Sequence, residues 1–538
     1  MGTSGPRATA GELGLLAALL AWGAYPIILL LAQASHTHTS LTGANGLIGV
    51  DGVLGADQLQ YLAWARDAGS HGLASDLFSL PPSAHVYLEP LFTITGALWR
   101  LGLPLPVAYL LWTPVAAVVL WLAGLAWARR AFPNQLGARA ATVVLAVFLS
   151  TPLAALFSWT GTGAGPFRFQ LYLLGDELLG AGKLWGYVPS AIALALMPLA
   201  LLSVERALDP DRGSRPGRRA LRRRVERRPL VAATAAALLA AWLHPWQGIT
   251  LIVVLVALAV WQRRDGGAAV LLPLLGAALP LGYYYLLGHG DPAWELASHY
   301  ESTSRLGALV LLAGFGPLIA LGALGLRRPG GIVFEQVLVL WILGGLVTYF
   351  VNDAYPPHAL QGLSFPLAVL AVRGGQRLRM PVALAALGLL LFTVPGLAYS
   401  ARKFARTASD RHVQYYLPRD DQRALAWIDR RGPPGGVLAP TPIAIVVPSQ
   451  TGRAVWVGHG SWSRDYARRV RQVDALFNGR ITAAKARSFV LGTGTSILFA
   501  DCAHPRYLRR ILMALPASVH HFGCARVYTL ARGRSAVR

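Results

Sequence analysis

Uncharged runs of about 20 residues recur along this chain, at 13–32, 104–128, 140–160, 184–204, 266–288, 306–326 and 380–400. Each has the length an α-helix needs to cross the hydrocarbon core of a bilayer. Shorter apolar runs at 230–243, 247–262, 336–351 and 359–372 add four more, where tilt, local thinning or protein cover makes up the missing length. Only helices satisfy all their own backbone groups in lipid. The chain is therefore expected to be mainly α, a polytopic transmembrane helical bundle of about 11 spans. Composition agrees: 14% of its 538 residues are charged, whereas a soluble chain carries about 25%.

Orientation follows from the arginines, because cytoplasmic loops collect positive charge. Arg129, Arg130 and Arg139 mark one such loop, ten arginines from Arg206 to Arg228 the next, then Arg263–Arg264, Arg327–Arg328, and Arg373, Arg377 and Arg379. The intervening loops hold few cations: Arg66 and Arg100, then Arg168 and Lys183, then Arg305. The N-terminus is expected to be cytoplasmic and everything after Ser400 extracytoplasmic. The run at 13–32 lacks a basic leader and a clear cleavage site, so it reads as a retained span. The net charge of +24 is largely this loop asymmetry, which removes the nucleic-acid reading. The block Arg215–Arg228 could also touch anionic membrane lipids. With 46 arginines to 3 lysines and abundant Ala and Gly, the composition is that of a GC-rich bacterial genome of the actinobacterial type.

Two parts emerge. Residues 1–400 form a transmembrane module with a long first outer loop at 34–103. Residues 401–538 are more polar and read as an extracytoplasmic α/β domain. Strands are expected at Val437–Leu438, Ala454–Val457, Ser496–Ala500 and Ala525–Leu530. Helices are expected at Asp421–Arg431, Ser463–Phe477, Ile481–Leu491 and Pro505–Leu515. Both cysteines, Cys502 and Cys524, fall in this outer part. An even pair in an oxidising compartment reads first as a disulfide. Two free thiols remain open, as does a metal site with His504, His520 or His521, which lack a standard ligand spacing.

The first outer loop carries the main candidate for chemistry. Asp57, Tyr61, Trp64, Ala65 and Ala68 share one helical face, with aromatics suited to a membrane–water interface. Asp57 would lie at the cap or in the first turn of that helix, where capping alone is a sufficient role for an Asp. The run Asp57-Gln58-Leu59-Gln60-Tyr61, in an outer loop ahead of a helix, resembles the polytopic glycosyltransferases of the GT-C fold. Several branches of that family carry Asp-Glu-x-x-Tyr there and use polyprenyl-phosphate sugars. The resemblance covers the architecture of residues 1–400 and an appended outer domain. It implies an inverting glycosyltransferase of the cell envelope, multi-pass in the plasma membrane. Its partners would be a polyprenyl-phosphate sugar donor, a glycan or protein acceptor, and membrane lipids. Gln58 stands where the pattern has its second acid, so no cofactor is required by it and a divalent metal stays open. The Gly458-His459-Gly460 turn resembles one in the outer domains of related enzymes.

The chemistry needs a base that takes the acceptor hydroxyl proton on the face opposite the leaving phosphate, and cations for that phosphate. Asp57 is the leading base, with Asp51 and Glu89 as rivals. Lys183 and Arg168 are the candidate phosphate ligands, although both flank Asp176-Glu177 and could pair with those acids. His244-Pro245-Trp246-Gln247 joins two arms of about 17 residues, each rising only ~25 Å. That turn should stop inside the bundle, where irregular backbone needs protein or a water-filled cavity around it. His244, Trp246, Gln247, His358 and Tyr61 are expected to line a cavity, with a proline-induced turn and an interfacial Trp anchor as the alternative for His244–Gln247. A transporter of lipid or glycan precursors, or a catalytically silent scaffold of the same fold, are the alternatives. The missing internal repeat disfavours the first.

Overall fold

A computed structural model describes residues 9–46, 53–160, 165–208, 227–262, 267–300, 305–327, 332–410, 413–504, 508, 512 and 515–530. Asp51 and much of the expected helix at 505–515 lie outside the described residues. Among those described, seven helical segments are long and apolar enough to cross a membrane: Ala10–Thr37, Leu105–Ala131, Val188–Leu208, Leu271–Gly290, Ala308–Gly325, Val333–Val351 and Val382–Ser409. Shorter apolar helices run over Leu136–Phe148 and Pro245–Trp261. The protein is a mainly helical, multi-pass membrane protein. Its chain divides into two compact units.

The first unit comprises 1–24, 112–286 and 302–402. Two of its apolar runs are interrupted. Helix Leu136–Phe148 stops before Pro152 opens the next helix, because proline disfavours helical geometry in the residue before it. Residues 382–409 break at Phe392–Thr393. The two interruptions satisfy each other: the Ser150 N–H donates to the Phe392 carbonyl at 2.8 Å. Unsatisfied backbone in hydrocarbon is costly, so matched breaks are a solution lipid imposes.

Helix ends in this unit are tied by buried charge. Arg129 reaches Glu12 at 2.8 Å, Arg130 chelates Glu205 at 2.7–3.0 Å, and Arg373 meets Glu335 at 2.7 Å. Arg130 and Arg373 both lie over the Phe334 ring, so the last two pairs meet around one side chain. Arginines that the sequence presents as topology signals thus also hold helix ends together.

The second unit comprises 25–111, 287–301 and 403–538. Its break at 402/403 falls within the last long apolar helix, Val382–Ser409, and the loop after the first such helix joins the tail. The two are woven together. Ser40–Leu41 pairs antiparallel with Tyr416–Leu417, Ser79 bridges Val457, and Arg66 binds Asp429 at 2.6 Å. The tail's sheet has the order Val437–Leu438, Ile497–Ala500, Ala525–Leu530, Pro516–Phe522, parallel in its first pair and antiparallel after it. Helices Arg419–Arg431, Tyr466–Phe477 and Ala483–Gly492 accompany it. Ala454–Val457 makes single bridges instead of the expected strand, being shared between Val437 and the first loop.

Cys502 and Cys524 are bonded, with Cα atoms 4.9 Å apart. Two neighbouring carboxylates fix the bridge: Asp421 accepts from the Cys502 N–H at 2.9 Å and Asp420 from the Cys524 N–H at 3.1 Å.

Candidate active site

Asp57 lies on helix Val53–His71 of the second unit. The helix begins four residues earlier, so Asp57 occupies its second turn and does not cap it. Nor does the helix lie on a surface: Leu59, Leu62, Ala63, Trp64, Ala65 and Ala68 are all buried, covering every face. Gln58, in place of a second acid, accepts from the backbone N–H groups of Asn45 and Gly46 at 2.9 and 2.6 Å. It braces the preceding segment.

The carboxylate of Asp57 is about one-quarter exposed (26%) and meets His459 Nε2 at 3.0 Å. That imidazole is buried, and its Nδ1 accepts the Ser461 N–H at 3.2 Å. An accepting Nδ1 leaves the proton on Nε2, so His459 donates to Asp57 Oδ1. The turn needs Gly458: a Cβ there would sit 2.8 Å from the Phe78 ring and 2.9 Å from Val455. Sequence reasoning singled out the Gly-His-Gly turn without naming His459 as a site residue.

An aromatic cluster continues along the Asp57 face of the helix. Tyr61 stacks with Phe92 at 5.2 Å. Trp64 packs against Tyr87, Trp462 and Trp294 at 4.7, 5.1 and 5.6 Å. Trp294 and Trp462 touch edge to face at 4.7 Å. Tyr61 therefore belongs to this aromatic cluster of the second unit.

Glu89, proposed as a rival base, is the N-cap of helix Pro90–Arg100, accepting from the Phe92 N–H at 2.6 Å. It is buried, and burial pushes its carboxyl up to about 8. That corrects its assignment: a buried cap is not presented to an acceptor hydroxyl. Asp76, also buried, is likewise raised to about 8 by desolvation.

In the first unit, Lys183 is buried between Asp176 at 3.2 Å and Glu177 at 3.5 Å. Glu177 also takes His358 Nδ1 at 3.0 Å and Gln361 Nε2 at 2.5 Å. Burial opposes its charge, but His358, Lys183 and Gln361 outweigh burial and hold the carboxyl well below its usual range. The same acids outweigh desolvation to raise Lys183. The Lys183 charge is thus already neutralised, a correction to its expected phosphate role. Arg168, on helix Pro166–Leu178, is partly exposed and has no ion-pair partner among the described residues.

The expected cavity residues of this unit do come together. His244, Trp246 and His358 rings lie 4.8–5.1 Å apart, and Gln247 Nε2 donates to Gln361 at 3.2 Å. Trp246 Nε1 donates to the Ala354 carbonyl at 2.6 Å. His244 Nδ1 is buried without a partner among the described residues.

A cavity of about 680 Å³ lies elsewhere in the second unit, at the end of helix Ala10–Thr37 and the start of helix Arg419–Arg431, and Asp57 does not line it. Asp57 and His459 are not part of any three-donor group able to hold a metal ion among the described residues.

No protein-family model matches the chain, and no curated protein does. Solved structures do. The oligosaccharyltransferase AglB from Archaeoglobus fulgidus, in complex with an inhibitory peptide and a dolichol-phosphate, aligns with a TM-score of 0.50 at 11% identity, over 92% of this chain and 69% of that one. The apo form of the Archaeoglobus fulgidus oligosaccharyltransferase aligns at 0.52 and 12% identity, over 97% and 75%. ArnT from Cupriavidus metallidurans bound to undecaprenyl phosphate gives 0.47 at 14% identity, over 98% and 99%. At these identities the likeness is one of fold, and the chain has the GT-C fold of polytopic membrane glycosyltransferases that its sequence resemblance implied.

Proposed function

We propose that this protein is an inverting glycosyltransferase that moves a sugar from a polyprenyl-phosphate carrier to a glycan or protein acceptor on the extracytoplasmic face of the plasma membrane. One observation carries the reading: a part-exposed carboxylate, Asp57, is oriented by the Nε2–H of a buried imidazole, beside an aromatic cluster in which Tyr61 and Trp294 are partly exposed. A fold shared with an oligosaccharyltransferase solved with a dolichol-phosphate and a peptide supports a lipid-linked donor.

The acceptor oxygen attacks the anomeric carbon while the bond from that carbon to the phosphate oxygen breaks. The bonding pair leaves with the phosphate, and the acceptor proton goes to Asp57. His459 Nε2–H holds the carboxylate toward the hydroxyl and offsets its charge before the proton arrives. Arg168 is the better phosphate ligand of the two expected cations, because Lys183 is committed to Asp176 and Glu177.

The test is release of polyprenyl phosphate from a panel of polyprenyl-phosphate sugars by membranes containing the wild type or Asp57→Asn. Transfer should fall by roughly 10²–10⁴-fold, the usual contribution of a general base. Undiminished transfer by Asp57→Asn would overturn the assignment.

A further inference from the structure

Ten residues after Asp57 on the same helix, about 15 Å along its axis, a second polar group has no part in the proposed transfer. Asp67 is buried. Its Oδ2 accepts from the Ser75 N–H at 2.7 Å and from the Ser75 hydroxyl at 2.8 Å. Its Oδ1 is met by two imidazoles, His71 Nδ1 at 2.9 Å and His85 Nε2 at 3.3 Å. The two rings face each other with centroids 4.0 Å apart. All three donor atoms lie within 4.8 Å of one another.

We infer that Asp67, His71 and His85 form a binding site for a divalent transition metal, zinc by preference, at the C-terminal end of the Asp57 helix. Two imidazole nitrogens and one carboxylate oxygen are a donor set for zinc, whose bonds of about 2.0–2.1 Å place tetrahedral ligand atoms roughly 3.3 Å apart. The Asp67–His85 separation of 3.3 Å matches that spacing, and the Asp67–His71 separation of 2.9 Å reaches it with a small side-chain adjustment. Ser75 supplies the outer support a metal carboxylate needs: it fixes Oδ2 and so aims Oδ1 at both rings. His71 and His85 are 51% and 39% exposed, so solvent can reach the ion and complete its shell. Hard-cation chemistry fits worse, because calcium and magnesium prefer oxygen donors. Bound metal would neutralise the buried carboxylate. It would also tie the helix end to the segment that carries Tyr87 and the Glu89 cap. This is a structural clasp, separate from the base.

Full-length protein in detergent, stripped with a chelator, is titrated with zinc chloride by calorimetry, and cobalt(II) uptake is followed by its visible absorption. The wild type should take up one zinc per chain with a rise in melting temperature. His85→Gln should weaken binding by about 100-fold or more, beyond the ~10–100-fold that loss of an outer-shell partner costs. His71→Gln/His85→Gln should show neither the zinc-dependent stabilisation nor the cobalt band. Both imidazoles are half-exposed, so this variant keeps a fold whose metal-free melting temperature can be matched to the wild type. Equal zinc uptake by wild type and double variant would place the metal on other histidines and overturn the inference. So would the absence of uptake by the wild type.

Discussion

His459 Nε2 donates to Asp57 Oδ1 at 3.0 Å across 402 residues of sequence. The bond joins the loop after the first long helix to the tail inside one compact unit, so the candidate base is oriented by a residue from a distant part of the chain. A carboxylate held this way loses less freedom on reaction than one turning in solvent.

If that bond positions the base, His459→Ala should lower kcat by about 10–150-fold, the equivalent of the ~1.5–3 kcal/mol carried by a hydrogen bond to a charged group. KM for the lipid donor should stay near the wild-type value. His459→Gln, which can again present an N–H, should recover part of the loss. A fall in both variants that tracks lost thermal stability would mean the imidazole is only packing.

Asp51→Asn and Glu89→Gln should transfer sugar at close to the wild-type rate in the assay that silences Asp57→Asn. Glu89 is instead a stability group. Its carboxyl sits at about 8 against an ordinary 4.5, so the folded state keeps a proton that the unfolded chain has released. The stability it contributes is present below about 4.5 and drains away as pH rises toward about 8. Melting temperatures at pH 5 and pH 8 should therefore differ less in Glu89→Gln than in the wild type. An unchanged difference would show that the carboxyl is ionised in the fold.

Much of this architecture was legible because membranes constrain sequence severely. The apolar runs announced their helices, and the arginines fell at helix ends where they pair with Glu12, Glu205 and Glu335. The breaks at Ser150 and Phe392 were masked, since average hydropathy registers composition and not the backbone bond that makes both interruptions tolerable. Asp57 stands out as a candidate from a local pattern around one helix. His459 does not: a glycine-flanked histidine signals a turn, and only the fold decides what faces it. The Asp67–His71 spacing of four residues was equally visible, but His85 reaches it through an irregular segment that no periodicity describes. Lys183 shows the opposite failure. Its acidic neighbours were in plain view, yet only the turn after Leu178 determines that both close on it.

The bridge between Cys502 and Cys524 closes a loop of 22 residues' separation. Replacing both with serine should cost about 2–4 kcal/mol in the usual range for such a constraint. Thiol alkylation of the unreduced, denatured wild type should label neither cysteine. Labelling of both would show free thiols, and the stability cost should then be absent.

Lys183 and Arg168 should separate cleanly. Lys183→Met leaves Asp176 and Glu177 facing each other with one cation fewer, and breaking a buried pair in this way costs ~3–5 kcal/mol. The variant should melt early and lose activity in proportion to the folded protein it loses. Arg168→Ala removes a partly exposed cation with no ion-pair partner among the described residues, so its melting temperature should match the wild type. If the guanidinium holds the donor phosphate, KM for the polyprenyl-phosphate sugar should rise by about 10-fold or more, each ~1.4 kcal/mol of lost contact being tenfold. Arg168→Lys should restore only part, because a point charge replaces a fork that grips two phosphate oxygens. An unchanged KM in Arg168→Ala, with a raised KM in whatever Lys183→Met remains folded, would return the phosphate contact to the lysine.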